Sequence, residues 1–131
     1  MSNLDIYCVT NEKLSFLEKT PLKLVGVGKE KFSEKYLKCD NKKNIYDREK
    51  FYSELTFHYW YWQNCLQNEN KDWIGFCQKR RFWIKSENDK DLITIENLND
   101  YLITEIDNKL DIVIYSFKLL QLYGELNKEI C

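Results

Sequence analysis

The sequence predicts an α/β fold in which a mostly parallel sheet is flanked by helices. Three short apolar runs, residues 4–9, 22–27 and 73–77, have the length and the β-branched and aromatic content of buried strands. Segments in which apolar residues recur with helical spacing separate and follow these runs. Strands that alternate with helices are typical of parallel sheets covered by helices. Because 131 residues suffice for one folded core, we expect a single domain over residues 1–131.

The composition excludes several classes of protein. Hydrophobic residues make up 44% of the chain and charged residues 31%, which is typical of globular proteins. The net charge of −1 offers no field that would concentrate the chain on nucleic acid, so we expect no nucleic-acid partner. No stretch approaches the roughly 18 apolar residues of a membrane span, so we expect no integral membrane segment.

The cysteine pattern indicates the compartment. The chain has five cysteines and no C-x-x-C pair, which fits neither a disulfide framework nor a thiolate metal site. We therefore expect reduced thiols and a cytoplasmic location, and we leave open a peripheral association with the inner face of the membrane.

The N-terminal third contains two predicted strands and a long loop. The strand at residues 4–9 runs into a polar cluster. This cluster consists of Thr10, Asn11, Glu12 and Lys13. Pro21 and Gly28 bracket the strand at residues 22–27. Residues 29–50 are rich in lysine and asparagine and predict a loop, with one short helix near residues 31–37.

Residues 51–66 predict a helix. Apolar side chains recur there every three or four residues. They are Phe51, Leu55, Tyr59, Trp62 and Leu66. From this spacing we expect Leu55, Tyr59 and Trp62 to face the core, with the two aromatic residues serving mainly in packing.

A second face of the same helix is polar and aromatic. Glu54, His58 and Tyr61 are separated by four and three residues and therefore share one side of a helix. Such a face could hydrogen-bond a ribose or a sugar while an aromatic ring stacks on it. The alternative is an amphipathic helix whose polar face simply meets water.

An arginine pair follows the predicted strand at residues 73–77. Ligands of open α/β sheets bind beyond the carboxyl ends of the strands, where Arg80 and Arg81 are expected to lie. Guanidinium groups match the geometry of phosphate oxygens, so the pair predicts a phosphate or diphosphate site. The alternative is a solvated strand exit or a surface ion pair. Gly75, inside the strand, predicts a close approach of neighbouring chain.

The same region also contains a basic and aromatic run. Residues 79–85 resemble in composition the platforms that bind single-stranded nucleic acid, but the net charge argues against this interpretation. If the strand continues past the arginines, Phe82 and Ile84 lie on the face opposite to Arg81 and Trp83.

The C-terminal third predicts a solvated turn at residues 86–91, a helix from about residue 95 to 106, a strand at 110–116 and a terminal helix at 117–130. The turn contains Asp89 and Asp91 in a D-x-D pattern, which many nucleotide-sugar transferases use to hold a divalent metal. Hard oxygen ligands of this kind suit Mg²⁺ or Mn²⁺. The pattern is short enough to arise by chance and sits in a charged turn, so it is a weak prediction, and we assign no metal site.

A series of residues in this order resembles a bacterial glycosyltransferase-like family of unknown detailed function that is common in capsular and exopolysaccharide gene clusters. Its central pattern is approximately ELTxxYWxWKN followed by GLxHYRRYF. The matching residues are Thr10, Asn11, Lys13, Val25, Gly26, Asp40, Asn41, Asn44, Ile45, Glu54, Leu55, Thr56, Tyr59, Trp60, Trp62, Asn64, Asp72, Gly75, Arg80 and Arg81.

The resemblance implies part of a nucleotide-diphospho-sugar transferase fold, similar to the GT-A class. It also implies transfer of a sugar from a nucleotide-diphosphate donor to a glycan or lipid-linked acceptor in surface polysaccharide synthesis. Arg80 and Arg81 would then hold the diphosphate. Further substrate-binding candidates are Thr10, Asn11, Lys13, Asp40, Asn44, Glu54, His58 and Tyr61.

The sequence departs from the family pattern in two places. Gln78 and Lys79 stand where members commonly have His-Tyr, and Asn11 and Glu12 stand where a histidine commonly precedes a lysine. Glutamine cannot act as a general base near neutral pH.

The resemblance covers about residues 1–85, and members run beyond the end of this chain. We therefore expect an incomplete C-terminal part that would have carried the base, and we assign no catalytic residue. The alternative is a non-catalytic fragment or module that binds a nucleotide or a partner.

Overall fold

The computed structural model describes residues 4–105 and the backbone of residues 113–116. Within these ranges the strands and α-helices follow one another along the chain as β1 (Leu4–Thr10), α1 (Ser15–Glu18), β2 (Lys23–Gly26), β3 (Tyr36–Lys38), α2 (Glu49–Tyr52), α3 (Leu55–Asn64), β4 (Trp73–Gln78), β5 (Arg81–Ile84), α4 (Leu98–Tyr101) and β6 (Val113–Ser116). Short 3₁₀ helices occur at Tyr46–Arg48, Leu66–Asn68 and Glu87–Leu92.

The strands form one sheet in the order β3-β2-β1-β4-β5-β6. β1 pairs in parallel with β2 on one side and with β4 on the other, and β2 pairs in parallel with β3. The chain therefore builds the sheet outward from β1 in one direction and then returns to build it in the other. The point at which the strand order reverses lies between β1 and β4.

The prediction of a mostly parallel sheet is wrong, because the sheet is mixed. β5 runs antiparallel to β4, and β6 runs antiparallel to β5. Lys79 and Arg80 form a two-residue turn between Gln78 and Arg81, which face each other across the hairpin. A parallel crossover needs a dozen or more residues, so this short connection forces the chain to turn back. The α/β class itself is confirmed.

Both faces of the sheet are covered. On one face α3 packs Phe57, Trp60 and Tyr61 over Tyr7 and Val9 of β1 and neighbouring strands. On the other face, α1, α4 and the loops cover the sheet with buried apolar side chains. These include Leu14, Phe16, Leu17, Phe32, Ile93, Ile95, Leu98 and Leu102.

The predicted core stripe of the long helix is wrong. Leu55 and Trp62 are 52% and 60% exposed, whereas Phe57, Trp60 and Tyr61 are buried. Apolar or aromatic side chains occur on all sides of the helix, so spacing alone does not distinguish the buried face. Its start also differs from the prediction, because Ser53 adopts φ 50° and separates α2 from α3.

Four other predictions are corrected or limited. The expected helix near residues 31–37 is absent, and Tyr36 instead begins the short strand β3. The helix expected from about 95 to 106 is reduced to the single turn α4, after which Leu102 forms a β-bridge with Ile84. β6 confirms the last four residues of the strand expected at 110–116. The helix expected at 117–130 lies outside the described residues.

Candidate functional site

A polar cleft lies at the carboxyl ends of β1 and β4, with a volume of about 200 Å³. Parallel neighbouring strands end at the same edge of a sheet, and the point of strand reversal leaves a crevice there. The lining residues are Val9, Thr10, Asn11, Val27, Ser53, Glu54, Gln78, Lys79 and Arg80. β1, β4 and the residues before α3 therefore all contribute to one cavity.

The β1 side of the cleft is held by a tight turn at Thr10. The Thr10 hydroxyl donates to the Glu12 carbonyl at 2.7 Å and accepts from the Glu12 N–H at 3.1 Å. The Val27 N–H donates to the Thr10 carbonyl at 2.9 Å, which joins the ends of β1 and β2. Thr10 is buried, so its hydroxyl shapes the turn that presents Asn11.

The β4 side of the cleft carries two cations with different environments. Lys79 Nζ donates to Asn11 Oδ1 at 2.8 Å and lies 3.2 Å from a Glu12 carboxylate oxygen. Arg80 is exposed and makes no ion pair with the part of the chain that the structure describes. Lys79 thus bridges the two strand ends, whereas the guanidinium of Arg80 keeps its hydrogen-bonding capacity for a ligand.

A second cavity of about 160 Å³ adjoins the cleft between α3 and the β4–β5 hairpin. Its lining consists of His58, Phe76, Cys77, Gln78, Arg81, Phe82 and Trp83. Gln78 lines both cavities, and its Nε2 donates to Glu54 Oε1 at 2.9 Å. Gln78 is therefore shared by the two cavities, and its hydrogen bond joins it to Glu54 of the cleft.

The ionisable groups around the Gln78–Glu54 pair shift one another's pKa. Partial burial raises the pKa of the Glu54 carboxyl, but hydrogen bonds from its own backbone N–H and the Ser53 side chain, with the charges of His58 and Arg81, lower the pKa overall. Burial lowers the pKa of His58, and the Glu54 carboxylate partly opposes that shift. At neutral pH the site thus presents an ionised Glu54 and a neutral His58 beside Arg81.

The structure brings together six of the residues that the sequence predicted for a site. Four of them line the cleft, namely Thr10, Asn11, Glu54 and Arg80. His58 and Arg81 line the adjoining cavity. These residues lie on three separate segments of the chain and meet only through the folding of the sheet and α3.

The other predicted binding residues lie outside both cavities. Lys13 pairs with Glu30 at 3.5 Å on the surface. Tyr61 is buried in the core, where its hydroxyl donates to the Glu69 carboxylate. Asp40 is exposed and lines neither cavity. Asn44 shapes its own loop, because its side chain donates to the Lys42 carbonyl at 3.0 Å and accepts from the Tyr46 N–H at 3.1 Å.

Hydrogen bonds from α3 hold the loop that contains Asn44. Trp60 Nε1 donates to the backbone carbonyl of Asn41 at 3.1 Å and to its side-chain oxygen at 3.0 Å. Asn64 Nδ2 donates to the Lys43 carbonyl at 2.8 Å. These contacts give the asparagines of this part of the family pattern a structural explanation, since they anchor a loop rather than line a cavity.

From the sequence, Gln78 is only a departure from the family pattern, Lys79 is such a departure and the start of a basic run, and Ser53 is not predicted for the site. All three line the cleft. The sequence position of Gln78 and Lys79 could have indicated their place in the cleft, because they directly precede the arginine pair at a strand end. Ser53 had no signal in the sequence, since it reaches the cleft through the backbone break between α2 and α3.

The residues present do not fit a metal site. Asp89 and Asp91 belong to the 3₁₀ helix at Glu87–Leu92 and line neither cavity. Across residues 4–105 and 113–116, no group of three or more His, Cys, Asp and Glu side chains could hold a metal ion. The four cysteines within the described residues, Cys8, Cys39, Cys65 and Cys77, are free thiols. A search of the same residues for a helix with the length and apolarity of a membrane span finds none.

Comparison with known proteins gives one match. A family model described as a domain of unknown function (DUF4422) matches residues 5–127. No curated protein and no solved structure matches the chain.

Proposed function

From the premise that the chain belongs to the DUF4422 family of domains of unknown function, we propose that it binds a nucleotide-diphosphate sugar in the cleft at the ends of β1 and β4. Its function would be glycosyl transfer to a glycan or lipid-linked acceptor in surface polysaccharide synthesis. The sheet would then be the donor-binding part of a GT-A-like fold. The resemblance of the sequence to glycosyltransferase-like proteins supports this proposal, and the position of the cleft supports it independently.

The observation that carries the proposal is the position, at the reversal of strand order, of Arg80, which makes no ion pair within the described residues. Open α/β sheets bind nucleotides and other phosphate-bearing ligands in the crevice at this point. Here the crevice is lined by polar groups from both strands, and the Arg80 guanidinium is available to a ligand. A charge-assisted hydrogen bond to a phosphate oxygen contributes roughly 1.5–3 kcal/mol.

Different residues of the cleft bind different parts of such a donor. Arg80 binds the diphosphate, and Lys79 holds Asn11 in place while adding positive charge. Glu54 accepts hydrogen bonds from ribose or sugar hydroxyls. The adjoining cavity, with Arg81, His58 and the Trp83 ring, receives the next part of the ligand.

Glycosyl transfer forms a bond from an acceptor oxygen to the anomeric carbon and breaks the bond from that carbon to the diphosphate. Negative charge therefore develops on the leaving diphosphate, and Arg80 lies where it would stabilise that charge. The proton of the acceptor hydroxyl must go to a base. Glu54 is the carboxylate that lines the cleft, but it is engaged by Gln78 and Ser53.

This engagement of Glu54 favours a second candidate function, a module that binds the nucleotide sugar without transferring it. A carboxylate with a lowered pKa is a weak base, and Gln78 cannot serve as one. The two candidates share the binding site and differ in turnover.

Calorimetric titration of the chain with uridine and guanosine diphosphates and their sugars, with and without Mn²⁺, tests the binding. We expect Arg80→Ala to weaken binding at least tenfold, and the double change of Arg80 and Arg81 to alanine to weaken it further, with an almost unchanged melting temperature. Arg48→Ala is the matched control, because Arg48 is also exposed but lines neither cavity.

Equal affinities of wild type and Arg80→Ala would contradict the assignment of the cleft. Consumption of the bound sugar nucleotide with an acceptor glycan separates the transferase from the binding module. Binding without consumption over a panel of acceptors supports the module.

A further inference from the structure

We infer that the exposed side of α3 is the interface of a symmetric dimer of this chain. The surface, which we name the aromatic seam, consists of Leu55, Tyr59 and Trp62 of α3 and Leu66 of the 3₁₀ helix that follows it. It is the stripe whose spacing resembles that of a core, yet three of its four members are more than half exposed. Nothing in the proposed binding of a nucleotide sugar uses these side chains.

The spacing of the aromatic seam suits another helix. Leu55, Tyr59 and Trp62 follow one another at intervals of four and three residues, which keeps them within a narrow strip of the surface of α3. This is the arrangement by which one helix packs lengthwise on another. Leu66 follows at the start of the next 3₁₀ helix. Tyr59 and Trp62 already contact each other edge-on, with ring centroids 6.0 Å apart, so these two rings form one aromatic surface.

The absence of charged residues from the aromatic seam favours a second copy of the chain as its binding partner. Residues 55–68 contain no Asp, Glu, Lys or Arg, although charged residues make up 31% of the chain. Two copies can therefore meet along this strip without like-charge repulsion and without burying an unpaired charge. Helices that lie on anionic membranes carry lysine and arginine on their polar side, and α3 carries neither.

The order of residues in the seam is self-complementary. In an antiparallel pair with its twofold axis beside Tyr59, Leu55 of each copy faces Trp62 of the other. These two residues are seven positions apart, roughly 10 Å along the helix. Each contact pairs a smaller side chain with a larger one, which lets the two rows interdigitate.

The exposed apolar area is sufficient for a dimer. In the inferred dimer, Phe51 and Tyr52 of the preceding helix α2, which are 72% and 44% exposed, would add to the buried area. Large side chains bury about 150–250 Å² each, so half-exposed residues present about 100 Å² each, and two copies would bury on the order of 1,000 Å². That value is near the lower bound of about 1,000 Å² for a specific interface.

Sedimentation equilibrium of the full chain tests the inference. We expect the wild type to form a dimer, twice the chain mass of 16.0 kDa, in the micromolar range. Leu55→Lys and Trp62→Glu should each weaken self-association at least tenfold, because each places a charge in the apolar interface. Leu92→Lys is the control, since Leu92 is 57% exposed but lies on the 3₁₀ helix at Glu87–Leu92, away from the seam.

The double variant Leu55→Lys with Trp62→Glu tests the register. In the antiparallel pair each new lysine faces a new glutamate of the other copy, so the double variant should associate more tightly than either single variant. Circular dichroism verifies that all variants are folded, as expected for changes at exposed positions. A monomeric wild type up to submillimolar concentration overturns the inference, as does a double variant no tighter than the singles. A monomeric protein that co-sediments with vesicles of phosphatidylglycerol and phosphatidylethanolamine also overturns the inference.

Discussion

Gln78 Nε2 donates a hydrogen bond of 2.9 Å to Glu54 Oε1, which joins the carboxyl end of β4 to the residue that precedes α3. The two residues are 24 positions apart in the chain. Because Gln78 lines both cavities, this contact fixes a side chain that the cleft and the adjoining cavity share.

Gln78→Glu should destabilise the protein at neutral pH. The change replaces the amide donor with a second carboxylate beside Glu54, and like charges at hydrogen-bond distance raise the pKa of one member of the pair. We expect the free energy of unfolding to fall by about 1–2 kcal/mol at pH 7. The folded variant then takes up a proton more readily than the unfolded chain, so the deficit relative to wild type should shrink as the pH falls toward about 5.

Urea denaturation at the two pH values measures this effect. Gln67→Glu is the control, because Gln67 is exposed and lines neither cavity. A Gln78→Glu variant as stable as wild type at neutral pH would show that the contact does not order the site.

His58 should titrate below the ordinary range for histidine. Burial lowers its pKa below 6.5, and Glu54 raises it by a smaller amount. Since His58 is the only histidine in the chain, its imidazole signals in a proton NMR titration need no assignment among several. We expect the Glu54→Gln variant to titrate at a still lower pH, and a pKa above 6.5 in the wild type would contradict the burial seen here.

The same shift predicts a pH dependence of stability. Because the folded pKa of His58 is depressed, the unfolded chain takes up the proton first as the pH falls. The contribution of His58 is therefore fully present above about pH 6.5 and is lost below it. In His58→Gln, the decline in the free energy of unfolding between about pH 7.5 and about pH 5.5 should be shallower than in wild type.

Thr56→Val should stabilise the protein. Thr56 is fully buried, and its hydroxyl has no hydrogen-bond partner within the described part of the chain. Replacing the hydroxyl with a methyl group removes a buried unsatisfied polar atom, so we expect a gain of about 1 kcal/mol in the free energy of unfolding. Thr10→Val is the opposite case and should lose stability, because the Thr10 hydroxyl makes two hydrogen bonds. Chemical denaturation of both variants checks the sign, and a destabilised Thr56→Val would count against the environment described for this residue.

Gly26→Ala should destabilise the protein more than Gly75→Ala. A Cβ at Gly26 would lie 2.3 Å from Phe32 Cδ2, whereas one at Gly75 would lie 3.0 Å from Ile6 Cγ1. Overpacking a core costs typically 1–3 kcal/mol, and we expect the Gly26 variant to be at or above the upper end. Adding Phe32→Leu to Gly26→Ala should recover part of the loss. Thermal unfolding of the three variants measures the order, and a larger loss for Gly75→Ala would refute the packing at Phe32.

Much of the local structure was predictable. The strands at residues 4–9, 22–27 and 73–77 and the existence of a helix before β4 are confirmed, because short apolar runs and helical spacing are local properties. β3 was missed because the strand Tyr36–Lys38 has only three residues, two of them exposed, and owes its extended conformation to pairing with β2. The prediction of a long helix after residue 95 is wrong for a similar reason, because Leu102 pairs with Ile84 instead.

By itself the sequence determined the α/β class, three parallel strands and a concentration of polar and basic residues after β1 and β4. Only the tertiary structure decided which of these residues meet, as in the hydrogen bond between Lys79 and Asn11, which are 68 positions apart. It also decided that Phe57, Trp60 and Tyr61 are buried while Leu55 and Trp62 face outward. The physical reason is that α3 carries large apolar or aromatic side chains on every side, so the sheet against which it packs, and not its own spacing, selects the buried face.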